Sequence, residues 1–148
     1  MATITRVQEV MSLILVDTSV LIDLLKGIDN AKVEMLKTII KNNWPFGIAA
    51  YTYQEVLQGA RDDNEYSLLM DYLKKQIIYT LPNIISTYEN AARIYYDLRR
   101  IGITPRNSID IYIAQTAIHF GLMLLHNDKD FDNMAFHIKN LNIINEFN

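Results

Sequence analysis

Four carboxylates in this 148-residue chain stand at comparable places. Asp17 follows the apolar run "LILV", and Asp128 follows "LMLLH". Glu55 lies in the first turn of "TYQEVLQ", and Asp110 in the first turn of "SIDIYIAQ". Each also has an ordinary structural use. Thr52-x-x-Glu55 is a capping-box pattern, in which the Glu side chain reaches back to the cap residue's N–H. Asp110 comes two residues after Ser108, a good N-cap, and an acid there suits the helix dipole. Asp17 and Asp128 can themselves cap helices. Brought together, however, four carboxylates would repel, raising their pKa values or demanding a cation. Carboxylate oxygens unaccompanied by Cys or paired His suit hard ions, Mg²⁺ or Mn²⁺. An acidic site of that kind points to metal-assisted phosphoester hydrolysis.

The elements decide whether the acids meet. Short apolar or β-branched runs alternate with helical patterns along the whole chain. "LILV" (13–16) reads as a buried strand entering the helix "TSVLIDLLKG", with Gly27 as its stop. A second helix is expected over 30–42, then a turn "NNWPFG" and a short strand "IAA". "TYQEVLQG" (52–59) opens another helix, and 63–75 continue as helix before the strand "QIIYTL". "STYENAARIYYDLRR" (86–100) is a long helix and "ITPRN" the loop after it. "SIDIYIAQTAIHFG" (108–121) is an apolar helix stopped by Gly121, with Ile109, Ile113 and Ala117 in the core. "LMLLH" is a strand, "NDKDFDNM" starts a short helix, and "LNII" (141–144) is a last strand. The expectation is an α/β fold with a central, mainly parallel sheet. In such sheets ligands sit at the carboxyl ends of the strands. Asp17 and Asp128 belong there by chain order, and helices following parallel strands bring Glu55 and Asp110 to the same edge.

Composition narrows the class. The length suits one domain with a real core. The chain has no cysteine, which excludes a disulfide framework or a thiolate zinc site. No apolar stretch is long enough to span a membrane, and the start lacks the pattern of a secretory signal, so a cytosolic location is expected. The formal net charge of −3 argues against a protein coated in positive charge for nucleic acid. A local basic strip is still available: Arg93, Arg99, Arg100 and Arg106 lie within one short segment. Arg99 and Arg100 equally serve to complement a helix C-terminus before Gly102.

"LVDTSVLIDLLKG", "YTYQEVLQG", "SIDIYIAQTAIHFGLMLLHNDKDF" and the closing "LNII" together resemble a PIN-domain protein, of the VapC-type toxin ribonucleases of bacterial toxin–antitoxin pairs. The resemblance covers residues 11–148, with four motifs in the family's order. It implies a three-layer α/β/α sandwich, Mg²⁺- or Mn²⁺-dependent endonucleolytic cleavage of RNA, homodimerisation, and a cognate antitoxin that occludes the site. The family's four acids carry over to Asp17, Glu55, Asp110 and Asp128, and its small hydroxyl residue to Thr18 or Ser19. Residues 1–10 are unmatched and are expected to be an extension, with Met11 a possible start. The position before the fourth motif's polar pair, often Thr in relatives, is His126, read as a neutral end-of-strand residue.

On this reading Asp17 and Asp110 are direct metal ligands, and Glu55 and Asp128 coordinate or orient water. Asp130 is a helix-start acid in a supporting place, and Phe131 should pack inward to anchor the loop holding Asp128. RNA needs cations to offset the acids, for which Arg93, Arg99, Arg100, Arg106 and Lys129 are candidates. Tyr51 and Tyr53 flank the second motif and could stack on a base or pack in the core. The rival readings are a receiver-type phosphoacceptor domain, a non-toxin PIN-like nuclease, and an inactive PIN-fold binding module.

Overall fold

The structure is a computed structural model and describes residues 14–146. The expected extension at residues 1–10 lies outside the described residues. Five short strands form one sheet: β1 (Ile14–Val16), β2 (Gly47–Ala49), β3 (Ile77–Tyr79), β4 (Met123–Leu125) and β5 (Asn142–Ile143). Their order is β3-β2-β1-β4-β5, and every pairing is parallel. The helices are α1 (Thr18–Leu25), α2 (Ala31–Lys41), α3 (Ala50–Gln58), α4 (Asp63–Leu73), α5 (Ile85–Arg100), α6 (Ser108–Phe120) and α7 (Lys129–His137). The chain moves from β1 outward to β3, then crosses back to place β4 on the other side of β1. The order therefore reverses between β1 and β4, the place where open parallel sheets form a crevice.

Side chains alternate along each strand, so one sheet feeds two cores. Ile14, Val16, Ile48 and Leu125 pack on one face with Val20, Leu36, Ile39, Val56 and Leu73 from α1 to α4. Leu15, Ala49 and Leu124 pack on the other face with Ala91, Leu98, Ile113, Ala117, Phe131 and Met134 from α5 to α7. This is the three-layer sandwich that the resemblance implied, built on the parallel sheet expected from the alternation of elements. Ile109, Ile113 and Ala117 all join the second core, Ile109 in part. Gly121 ends α6 at φ 65°, a left-handed cap that favours glycine.

Two expected caps are corrected. Helix α3 starts at Ala50, two residues before Thr52, so Thr52 lies inside the helix and no Thr52–Glu55 capping box forms. The N-cap there is Ala49, which has no side chain able to accept. Helix α6 is capped by Asn107, whose side chain accepts from the Ile109 N–H at 3.0 Å, and Ser108 is its first residue. An amide is as good a cap as a hydroxyl, and it sits one residue earlier.

Candidate active site

β1 and β4 end side by side, Val16 opposite Leu125. The next N–H along β1, that of Asp17, donates to the Leu125 carbonyl at 2.9 Å. Asp17 is thereby fixed at the crevice, where it also caps α1. Its Oδ2 accepts from the Ser19 N–H at 3.0 Å and from the Ser19 hydroxyl at 2.6 Å. Its Oδ1 is buried and has no hydrogen-bond partner among the described residues. A carboxylate only 4% exposed is costly to ionise. Burial pushes the Asp17 pKa up to about 6; the Ser19 hydrogen bonds oppose the rise and Glu55 adds to it.

Thr18 and Ser19 have separate tasks. While Ser19 holds Asp17, the Thr18 hydroxyl donates to Glu55 Oε1 at 2.9 Å. The Thr18 and Thr52 hydroxyls are 3.1 Å apart, which ties α1 to α3. Thr52 thus contributes through a side-chain contact that its expected capping role did not foresee.

Asp110 sits in the first turn of α6, partly buried. Its pKa is pushed up to about 7, first by burial and then by Asp17, Asp128, Asp130 and Glu55. All the other acids of the group therefore bear on this one residue. Carboxylate oxygens of Asp110, Asp128 and Asp130 lie within 4.8 Å of one another.

Asp128 caps α7, and its Oδ1 accepts from the Asp130 N–H at 2.9 Å. Its own N–H donates to His126 Nδ1 at 3.0 Å. An accepting Nδ1 places the imidazole proton on Nε2. Burial lowers the His126 pKa, so the ring is neutral, as expected for the end of the strand. Nε2 faces Asp132 Oδ1 at 3.3 Å, too poorly aligned to count as a hydrogen bond. The ring packs on fully buried Phe131, centroids 5.1 Å apart. Phe131 does point inward, and His126 steadies the Asp128 backbone where a threonine hydroxyl was the alternative.

Three further residues belong to the site and were not foreseen. The Asn127 N–H donates to Ser19 Oγ at 2.9 Å, so β4's exit loop orients the serine that holds Asp17. The Asn127 amide donates to Asp23 Oδ2 at 3.0 Å and to Asn30 Oδ1 at 2.9 Å, and Asn30 also caps α2. The amide in "HND" was the only signal, and nothing in its spacing pointed to partners 97 and 104 residues earlier.

The expected cations separate. Arg106 Nη2 lies 3.3 Å from Asp128 Oδ1 and its Nε 3.2 Å from Asp130 Oδ2. Of the five, it alone pairs with these acids among the described residues. Arg93 pairs with Asp97 on its own helix at 3.0 Å. Arg99 and Arg100 sit in the last turn of α5, as the helix-dipole reading held, with guanidinium carbons 6.0 and 5.6 Å from the Tyr96 ring centre. Lys129 is exposed at the start of α7. A cleft of about 480 Å³ between α5 and α6, lined by Tyr88, Tyr95, Tyr96, Arg99 and Tyr112, contains none of the four acids. Tyr51 stacks on Tyr112 with centroids 5.1 Å apart, and Tyr53 packs against the first core.

The PIN domain family profile matches residues 14–137. The chain belongs to the PIN-domain family. Within it the chain falls among the VapC ribonucleases. It is 31% identical over 128 residues to Ribonuclease VapC11 of Mycobacterium tuberculosis and to VapC ribonuclease Mb1587 of Mycobacterium bovis. Each match covers 83% of this chain and 92% of the relative. Among solved structures, VapBC2 from Rickettsia felis bound to a promoter DNA fragment superposes with a TM-score of 0.67 at 19% identity, over 90% of this chain and 98% of that one. VapBC-1 from nontypeable Haemophilus influenzae gives 0.64 at 20% identity, over 88% and 96%. These two likenesses establish the PIN fold, and with family membership the receiver-domain reading falls.

Proposed function

We propose that this PIN domain is the toxin ribonuclease of a toxin–antitoxin pair, cutting RNA phosphodiester bonds with Mg²⁺ or Mn²⁺ at Asp17, Glu55, Asp110 and Asp128. The observation that carries the reading is the buried, unpartnered Oδ1 of Asp17 beside Asp110, with the pKa values of these two acids pushed toward neutrality. A donor set made only of carboxylate oxygens fits a hard divalent ion. Such an ion, when bound, lowers the pKa of water and neutralises charge building on the phosphate.

The protein's own groups do the rest. Asp17 and Asp110 supply direct ligand oxygens, and Glu55 and Asp128 either coordinate or orient water. Ser19 holds one Asp17 oxygen and leaves Oδ1 available. Thr18 holds one Glu55 oxygen, and Asp130 supports Asp128 through its N–H. Near neutrality without a cation, Asp110 shares its site with a proton, which must leave as the ion arrives. Arg93, Arg99, Arg100, Arg106 and Lys129 supply cationic contacts for the RNA backbone.

VapC relatives named as ribonucleases and VapBC neighbours support an RNA substrate and a cognate antitoxin partner. A homodimer in the cytoplasm belongs to the same proposal. Among the described residues no helix is long and apolar enough to cross a membrane. The test is cleavage of RNA oligonucleotides by purified protein with Mg²⁺, with Mn²⁺, and with chelator. Metal-dependent cutting lost in folded Asp110→Asn is the expected result. Cutting that survives chelation and this substitution would overturn the assignment. A protein that binds the ion and cuts no RNA would be an inactive binding module.

A further inference from the structure

Among the described residues, Arg106 is the one cation seated in the acidic group. Its guanidinium reaches Asp128 Oδ1 through Nη2 at 3.3 Å and Asp130 Oδ2 through Nε at 3.2 Å. The same two residues join Asp110 in the group whose oxygens lie within 4.8 Å of one another. Asp128 Oδ1 also accepts the Asp130 N–H at 2.9 Å. A carboxylate oxygen has two lone pairs, so both of those on Oδ1 are already engaged. A divalent ion using this oxygen must displace the arginine, and an ion using a neighbouring oxygen meets a like charge within a few ångströms.

Arg106 is built to move. Its side chain is 77% exposed, and it sits in the loop between α5 and α6 beside buried Pro105. The partners on either side of the pair differ in freedom. The Asp128 carboxylate is held by the α7 cap, whereas nothing else among the described residues holds the guanidinium. Once displaced, it stands at the mouth of the acidic group. A guanidinium and a phosphodiester match in charge and geometry, and two parallel N–H donors suit two phosphate oxygens.

We propose that Arg106 occupies the cation's place in the ion-free protein and passes to the RNA phosphate when a divalent ion binds. The arginine is thus an internal competitor of the ion and a substrate contact in turn. Its competition with the ion stands apart from the nuclease reading, whereas its contact with RNA rests on that reading. A plain structural ion pair would act in the opposite direction, because removing it would loosen Asp128 and weaken ion binding.

The experiment measures Mn²⁺ affinity by calorimetry on full-length wild type, Arg106→Gln and Arg106→Lys without RNA, with KM and kcat for an RNA oligonucleotide alongside. Circular dichroism verifies the fold of each variant. Arg106→Gln should bind Mn²⁺ several-fold more tightly while its KM for RNA rises about tenfold. Arg106→Lys keeps the charge and should leave Mn²⁺ affinity close to wild type. Unchanged or weaker Mn²⁺ binding by Arg106→Gln overturns the competition, and tighter binding with unchanged KM overturns the transfer to phosphate. A wild type that binds Mn²⁺ and cuts no RNA overturns both the nuclease reading and the transfer, and the Mn²⁺ comparison still decides the competition.

Discussion

β1 and β4 hand the chain to their helices through aspartate caps, whereas the helices entered from β2 and β3 start without side-chain caps. Asp17 and Asp128 each accept from the N–H two residues on. Ala49 and Ile84, at the starts of α3 and α5, accept nothing through their side chains. The central exits are also tied to each other, Asn127 to Ser19 to Asp17, and the outer exits have no comparable chain of hydrogen bonds among the described residues. Polar effort is concentrated where the strand order reverses. A helix can start on apolar packing alone, so the caps at the centre do something more than start helices.

Removing charge at the centre should have the largest effect. Asp110→Asn and Asp17→Asn should each lower RNA cleavage by more than about 100-fold, since even residues that only orient metal ligands cost 10–100-fold. Thr80→Ala, at the exit of β3, should leave single-turnover rates within twofold. Equal losses at both places would erase the contrast.

The second effect is on stability and its pH dependence. Raised carboxylate pKa values mean that the folded, ion-free protein binds more protons than the unfolded chain. The associated stability is present below the ordinary carboxylate range near pH 4 and is lost as pH rises through about 6 and 7 for Asp17 and Asp110. Allowing for solvent around Asp110, the loss should be on the order of 2 kcal/mol between pH 4.5 and 8. Mn²⁺ at about 100 times its dissociation constant should return roughly 2.7 kcal/mol at pH 8. Asp110→Asn, freed of one repelling charge, should melt at or above wild type at pH 8 without Mn²⁺ and respond little to the ion. Thermal melts of both proteins across pH, at fixed ionic strength, decide it. A mutant that melts lower, with a wild type blind to Mn²⁺, would reduce these acids to helix caps.

The tie between the two exits should matter next. Ser19→Ala removes a donor to Asp17 Oδ2 and the acceptor of the Asn127 N–H, which should cost about 1–3 kcal/mol in urea denaturation. It should also cut the cleavage rate about tenfold through a displaced Asp17. Full activity in Ser19→Ala would show that Asp17 is held by its backbone alone.

The smallest effect adds to the outer pair what it lacks. Ile84 is 56% exposed at an uncapped helix start. Ile84→Asp should stabilise the protein by about 0.5–1 kcal/mol, with unchanged cleavage. A gain there and a loss at Ser19 would show that caps on the two pairs have different duties.

The sheet, its parallel sense and its two faces were legible because apolar runs and helical periods alternate cleanly from Leu15 to Ile144. Asp17 and Asp128 were legible as strand exits and Asp110 as a helix-start acid. Glu55 lies beyond the first turn of α3, where its expected place was the first turn, and meets α1 through the Thr18 hydroxyl. What escaped depends on three-dimensional partners. Thr52 looked like a cap because a Thr three residues before a Glu fits the pattern, yet Ala49 and Ala50 begin the helix without any polar signal. Asn127 looked like a turn residue, and its partners are Asp23 in the first motif and Asn30 at the cap of α2. Arg106 was one arginine among four until the loop after α5 placed it against Asp128 and Asp130.

The Asn127–Ser19 hydrogen bond joins residues 108 positions apart, and β1 gains its neighbour β4 only over a similarly long span. Contacts so remote in sequence form late, both in refolding and as a chain leaves the ribosome. Everything up to the end of α6 can emerge with Asp17 still lacking Asp128 and the serine lacking its tether. An unfinished polypeptide therefore carries the acids without the centre they compose. Synthesis itself acts as a delay, because the acidic centre can close only after β4 and the loop that follows it have been made.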